Sequence, residues 1–269
     1  MNLDNGKGAQ RIVCLTEETT ETLYLIGEQD RIVGISGFTV RPPRARKEKP
    51  KVSAFTSAKI DKILALKPSL VLGFSDLQAD IAAQLIRAGV AVHVFNQRTV
   101  SGIFDMIRML GAMVGATTKT DALIAGLHEG LAGIERSAAM LPRRPHIYFE
   151  EWNEPLISGI GWVSELIAIA GGDDCFAESA RARSARDRII ADETEVIRRE
   201  PDIIIGSWCG KRFRPEQVCR RPGWEKIPAV RNGHVHEIKS CDILQPGPAA
   251  LTDGVRQLHA IVGHWAKSQ

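Results

Sequence analysis

The sequence predicts an α/β protein of two Rossmann-like lobes joined by a single long α-helix, and three observations carry that expectation. First, a helix end, a proline and an apolar strand occur twice, as DKILALKPSLVLGF over Asp61 to Phe74 and as TEVIRREPDIIIGS over Thr194 to Ser207. Pro68 matches Pro201, Leu70-Val71-Leu72 match Ile203-Ile204-Ile205, and Gly73 matches Gly206, about half the 269-residue chain apart. That period is too long for a solenoid and suits two lobes of similar design. Second, apolar strands alternate with helical segments along most of the chain, as a parallel or mixed sheet covered by helices requires. Third, residues 117 to 141 form one proline-poor helical run that breaks the alternation. Two lobes create a cleft, and clefts at domain interfaces are where small ligands usually bind.

In chain order, a polar tail at 1–10 precedes the strand RIVCL, from Arg11 to Leu15. The helix TEETTETLYLIG follows, its start rich in Thr and Glu for capping and dipole chemistry, and Gly27 ends it. Arg31 to Ser36 is the next strand. RPPRARKEKPK at 41 to 51 reads as a solvated basic loop, with an anion site as the alternative. The first repeat copy supplies a helix and the strand Leu70 to Phe74. A helix over Asp76 to Ala88, a strand over Val90 to Asn96 and a helix over Ser101 to Gly115 complete a lobe at 11–116. The run from Thr117 keeps apolar residues at Leu123, Leu127, Leu131 and Ile134. It is the expected connector, about 36 Å long at 1.5 Å per residue. A single helix resists hinge opening, so small lobe motions are expected. The second lobe, 142–269, resumes with the strand Ile147 to Glu150 and a helix over Val163 to Ala170. The repeat strand Ile203 to Trp208, a helix near Pro215 to Arg220, the strand His234 to Ile238 and a closing helix over Leu251 to Trp265 follow.

Composition narrows the class. At 44% hydrophobic and 25% charged residues the chain is ordinary globular protein, and a net charge of +3 gives no global pointer to nucleic acid. No apolar run reaches the roughly 18 residues needed to span a bilayer. MNLDNGKGAQ carries no apolar h-region or cleavage site, so a cytoplasmic location is expected, or a periplasmic one if a leader has been removed. Cys14, Cys175, Cys209, Cys219 and Cys241 contain no CxxC pair and suggest neither a disulfide framework nor a zinc finger. GxSxG, P-loop and HExxH motifs are absent.

EEWNEPLISGIGWVSELIAIAGG at 150 to 172, SWCG at 207 to 210 and ILQPGPAALTDGVRQL at 243 to 258 carry a resemblance. Together they look like the cobalamin-type substrate-binding proteins of ABC importers, within the iron-siderophore and cobalamin class of periplasmic binding proteins. The likeness runs from about Arg11 to Val262. It implies a non-catalytic binding protein, a monomer, with a corrinoid as ligand and a membrane permease as partner.

The residues accord with that implication. A corrinoid is a wide, largely apolar macrocycle fringed by amides, and aromatic side chains offer it large contact area at low entropic cost. Loops after strands should line the cleft. They carry Phe55, Phe74, Trp152, Trp162 and Trp208, with Phe55 where the resembled family often has tryptophan. Cys209 offers a soft metal ligand or a buried thiol, and Gly210 would let backbone approach a ligand. Asp242 and Gln245, before the rigid Pro246-Gly247-Pro248 turn, are candidates for hydrogen bonds to ligand amides, and Ala249 replaces an arginine frequent in the family. His234 and His236, two apart on one strand, have chelating spacing, against the plainer reading of an edge strand. Asp173-Asp174 could pass for hydrolase carboxylates but suits a helix-exit loop.

In exported relatives one acidic residue per lobe resembles a docking knob for permease arginines. Here the register puts Asp61 in the first lobe and the uncharged Thr194, flanked by Glu193 and Glu195, in the second, which weakens a paired contact. Two alternatives stay open. One is a haem or ferric siderophore, favoured by the basic loop and the arginines at 181, 183, 186 and 188. The other is an enzyme acting on a corrinoid or metal chelate through Cys209 or the His234/His236 pair.

Overall fold

A computed structural model describes residues 8–182 and 184–268. Arg183 and the first seven residues of the expected tail lie outside them. The chain divides into two compact units: one runs through Gln97 and adds Ser101–Gly126, and the other takes Arg98–Val100 with everything from Leu127. The expected boundary at 116 therefore misses a short excursion. Val100 N–H donates to Glu165 Oε2 at 2.6 Å, which places Arg98–Val100 with the second unit.

In the first unit β1 (Ile12–Cys14), α1 (Glu17–Leu25), β2 (Ile32–Ser36), α2 (Ala45–Glu48), β3 (Lys51–Ser53), α3 (Ile60–Ala65), β4 (Leu70–Phe74), α4 (Ala79–Arg87), β5 (Val92–Phe95) and α5 (Val100–Met113) follow one another. The strands form one sheet in the order β3-β2-β1-β4-β5, parallel throughout. Val13, Leu15, Val52, Ile63, Val71, Ile81 and Leu85 form one core cluster, which is why these strands read as unbroken apolar runs. The threonines of α1 do not cap it: Thr19 and Thr20 hydroxyls donate back to Thr16 O, and Thr22 to Glu18 O. The basic loop is more structured than expected. Arg41 pairs with Glu21 (2.8 Å), Arg44 lies over the Tyr24 ring (4.8 Å), and Arg46 Nη1 donates to the carbonyls of Gly37 and Thr39.

The long helix α6 spans Thr117–Ala138, 22 residues or about 33 Å. Its residues through Gly126 pack with the first unit and those from Leu127 with the second. Ile124, Leu127, Leu131 and Ala138 are its buried apolar positions, so Ile124 takes the place expected of Leu123.

The second unit contains β6 (His146–Asn153), β7 (Leu156–Ser158), α7 (Gly161–Ala170), β8 (Asp173–Asp174), α8 (Ala177–Ala180), α9 (Thr194–Arg198), β9 (Ile203–Gly206), α10 (Pro215–Cys219), α11 (Pro228–Arg231), β10 (Val235–Glu237) and α12 (Ser240–Ile243). A π-helical turn over Ala250–Gly254 opens the last helix, α13 (Val255–Lys267). The sheet order is β10-β9-β6-β7, with β8 also on β6. It is mixed: β9, β10 and β8 run parallel to their neighbours and β7 antiparallel to β6.

The repeat holds to the backbone angle. α3 and α9 bury Ile63 and Val196 at matched positions, and each copy then passes through a non-glycine residue in the left-handed region, Lys67 and Glu200, both at φ 46°. Their N–H groups donate to the corresponding carbonyls, Leu64 and Ile197. Pro68 and Pro201 cannot continue a helix. The chain turns at the left-handed residue and enters β4 or β9, each parallel to its unit's opening strand. Gly73 and Gly206 end the motif where another side chain crosses the strand. A Cβ on Gly73 would stand 2.8 Å from Gln78 Oε1, and one on Gly206 only 1.8 Å from the Phe213 ring.

Candidate ligand-binding site

In doubly wound sheets ligands sit beyond the carboxyl ends of the strands. In the first unit that edge is built from the loops after β1 to β4. Gln78, fully buried, organises it: its Oε1 accepts from Phe74 N–H (2.9 Å) and its Nε2 donates to Phe55 O (2.8 Å). Phe74 itself is buried. Phe55 is 37% exposed, and Phe38, Val40 and Leu77 are exposed on the loops after β2 and β4. These apolar side chains face solvent on loops anchored by the sheet.

Behind them lie the buried carboxyls of α1. Glu17 Oε1 accepts Arg41 N–H at 2.7 Å, Glu18 Oε1 accepts the Thr16 hydroxyl at 2.6 Å, and Glu21 holds the Arg41 guanidinium. Burial pushes Glu17 up to about 8 and Glu18 up to about 7, against hydrogen bonds that pull the other way. The acids tether the loop that presents Phe38 and Val40.

In the second unit the edge holds Trp152 at the end of β6 and Ser207 to Gly210 after β9. Glu150, fully buried on β6, receives the Arg221 guanidinium on both oxygens, with Nη2 to Oε1 at 2.8 Å and Nη1 to Oε2 at 2.5 Å. Trp208 Nε1–H donates to Glu150 Oε1 (2.9 Å) and the Tyr148 hydroxyl to Oε2 (3.1 Å). Burial and the neighbouring Glu150 hold the Tyr148 phenol well above its ordinary range. Four donors on one carboxylate give it the full pairing that a buried charge needs.

Trp208 is thereby fixed inside the unit, 3% exposed, with its ring edge-on to Phe213. Trp162 is equally buried and donates its indole N–H to Ile243 O at 2.9 Å. Both were expected to face a ligand; both are core residues whose polar tips are already satisfied. Trp152 is different. It is half-buried, its Nε1–H donates to Glu154 O, and the Lys211 ammonium lies 4.8 Å from its ring and 5.0 Å from that of Trp208. Cys209 and Gly210 are exposed, and a Cβ on Gly210 would meet open space. Although Cys209 as a whole is exposed, desolvation of its thiol, then Glu151, raises its pKa, which disfavours the thiolate a metal would take.

The remaining candidates divide. Asp242, half-buried in α12, accepts from Gln257 Nε2 of α13 at 3.1 Å, so its carboxylate serves the fold. Gln245 is half-buried beside it in sequence, and its side chain makes no hydrogen bond among the described residues. His234 and His236 flank each other across 6.2 Å between ring centroids, and both have lowered pKa values, first through burial. Among the described residues no group of three ligating side chains is placed to hold a metal. Asp173 and Asp174 are structural: Asp173 pairs with Arg144, and Asp174 Oδ1 accepts Phe176 N–H. Of the arginines expected to favour an anion, Arg188 is 2% exposed and spent on Glu151, through Nη1 at 2.6 Å and Nη2 at 3.0 Å. Arg181 and Arg186 are exposed.

Asp61 is exposed in the first turn of α3 and Glu193 is exposed just before α9, each without an ion pair among the described residues. Glu195 is bound by Arg198 (2.6 Å) and Arg199 (2.9 Å), and the Thr194 hydroxyl donates to Asp192 at 2.6 Å. The acid that the second unit offers to solvent here is Glu193.

Residues 12–241 match the family model described as periplasmic binding protein. The chain belongs to this family. It is a binding protein rather than an enzyme, of the kind that delivers ligand to an ABC importer. An ABC transporter substrate-binding lipoprotein of Bacillus subtilis is 26% identical over 261 residues, covering 94% of this chain and 79% of the relative. The vitamin B12-binding protein of Vibrio parahaemolyticus is 25% identical over 246 residues, covering 90% and 86%. Among solved structures, a periplasmic heme-binding protein of Roseiflexus sp. RS-1 superposes with a TM-score of 0.79 at 22% identity, covering 95% of this binding protein and all of that chain. The last likeness is one of fold.

Sequence reasoning missed Lys211, Glu150 with Arg221, and the exposed Phe38 and Leu77. Lys211 stands two residues after Cys209 in SWCGKRFR, but nothing local says that its ammonium covers an indole from another strand.

Proposed function

We propose that this protein binds a corrinoid or a closely related tetrapyrrole on loops beyond the carboxyl ends of its strands and hands it to an ABC permease. The observation that carries the reading is the set of apolar side chains held out to solvent on the strand-end loops of the first unit, namely Phe38, Val40, Phe55 and Leu77. Four such side chains on the loops of one sheet edge offer apolar area that a flat macrocycle suits. The relative from Vibrio parahaemolyticus, named for vitamin B12 binding, supports the corrinoid over other macrocycles. Haem is the second reading, favoured by Lys211, whose free cation suits a ligand with acidic substituents. Titration with cyanocobalamin, aquocobalamin, cobinamide and haem, followed by binding heat and visible spectrum, tests both. One-site saturation by a corrinoid supports the first reading, saturation by haem alone moves the assignment to the second, and no binding by any of the four overturns the reading.

Docking on the permease is assigned to Asp61 and Glu193, the exposed acids at the starts of the two repeated helices. Asp61→Lys with Glu193→Lys should abolish uptake in reconstituted vesicles and leave ligand affinity within about twofold, since exposed charges contribute little to stability. A cytoplasmic relative that binds the same ligand without delivering it to an importer is the alternative to this docking, supported by five free cysteines that a reducing compartment would preserve. Recovery in the periplasm on fractionation overturns it.

A further inference from the structure

Resting on the macrocycle reading, we infer that Lys211 is an anion-recognition residue of the second unit's edge, and that the ligand carries a carboxylate or phosphate at its rim. The cation is held in a definite place by two indoles, 4.8 Å from the ring of Trp152 and 5.0 Å from that of Trp208. Trp208 cannot shift freely, because its Nε1–H is bound to the buried Glu150. The carboxylates nearest in sequence to Trp152 are already committed: Glu150 to Arg221, and Glu151 to Arg188. Glu154 accepts from Asn153 Nδ2 at 3.3 Å and forms no ion pair with Lys211. Lys211 is exposed and forms no ion pair among the described residues, and its neighbours Arg212 and Arg214 are exposed and unpaired too. A protein arranging a lysine only for solubility has no reason to lay it across two aromatic faces. A ligand laid on this edge beside Trp152 and Trp208 would meet the ammonium first, where an acidic substituent replaces water as the partner.

The two sources of such an acid can be separated. Haem carries carboxylates that its dimethyl ester lacks, and cobalamin carries a phosphodiester that cobinamide lacks. Quenching of tryptophan fluorescence would be measured for all four probes against the wild-type protein, Lys211→Gln and Lys211→Arg, at low and high salt. Wild type should prefer the acid-bearing member of one pair by about tenfold at low salt, as one charge-assisted contact gives. Lys211→Gln should reduce that preference to about twofold or less, Lys211→Arg should keep it, and salt should erode it. The pair that shows the preference identifies carboxylate or phosphate. Equal affinity within both pairs, or a preference unchanged in Lys211→Gln, overturns the inference while leaving macrocycle binding intact. Binding of none of the four overturns both. Because Lys211 is exposed, the variants are expected to keep the wild-type circular dichroism, which separates lost recognition from lost folding.

Discussion

The two units repeat one backbone device and finish it with opposite chemistry. In each, helix, left-handed residue, proline and apolar strand lead to a glycine over which a later side chain crosses. In the first unit the crossing group is the Gln78 amide, which binds backbone on two loops and leaves Phe55 outside. In the second it is the Phe213 ring, packed against Trp208, with a buried ion pair beneath and a lysine above. What the repeat preserves is the geometry that ends a strand. The side chains placed there have diverged, one edge apolar and open, the other aromatic and cationic.

The sharpest way to break that comparison is to remove each edge's organiser. Glu150→Ala leaves Arg221, the Trp208 indole and the Tyr148 hydroxyl without their acceptor, and should cost about 3–5 kcal/mol in urea unfolding. Gln78→Ala loses three neutral hydrogen bonds, to Phe74 N–H and to the carbonyls of Phe55 and Leu15, and should cost about 1–3 kcal/mol. Equal losses would mean that the two edges are organised alike. Next come the glycines. Gly206→Ala runs deep into an aromatic ring, at 1.8 Å, and should destabilise by about 1–3 kcal/mol, whereas Gly73→Ala approaches the buried, hydrogen-bonded Gln78 amide less closely, at 2.8 Å, and should cost less, about 1 kcal/mol.

The smallest effect is in pH dependence and belongs to the first unit. Glu17 and Glu18 have folded pKa values near 8 and 7, raised above their unfolded values by burial. Between the unfolded value and the folded one, the folded state holds a proton that the unfolded state has released. Stability therefore falls as pH rises from about 4.5 towards 8 and levels off above that. Glu17→Gln keeps an oxygen for Arg41 N–H and should flatten this slope, raising Tm at pH 8 by roughly 2–4 °C, as for about 1 kcal/mol in a domain of this size. An unchanged slope would show that Glu17 is ionised where it lies.

Much of the fold was legible because its strands are apolar runs of four or five residues bounded by proline and glycine, which the repeat displayed twice. β3 (Lys51–Ser53) and β8 (Asp173–Asp174) were not, since neither is an apolar run, and β7 (Leu156–Ser158) was not, since it follows β6 too closely to stand out as a separate run. Among the candidate residues, strand-end placement matched exposure at Phe55 and partial exposure at Trp152. It misled for Trp162 and Trp208, because whether an indole faces a ligand depends on its hydrogen-bond acceptor. Those acceptors, Ile243 O and Glu150, stand 81 and 58 residues away. Arg188 misled for the same reason: its partner Glu151 lies across the sheet, and a guanidinium that looks free in sequence is buried in the fold. Lys211 was invisible because its meaning comes from a ring on another strand.

The long helix also carries a consequence. Gly126 and Gly130 have nothing within 4 Å of where a Cβ would stand, and Gly133 only the tip of Arg136. No packing demand explains three glycines there, yet each gives up about 1 kcal/mol of helix propensity relative to alanine. The connector is thus a poor helix in its own right. It is wound by the anchorage of Ile124, Leu127 and Leu131 and is better regarded as a strap than as a strut, the segment whose amides should exchange with solvent before those of either sheet.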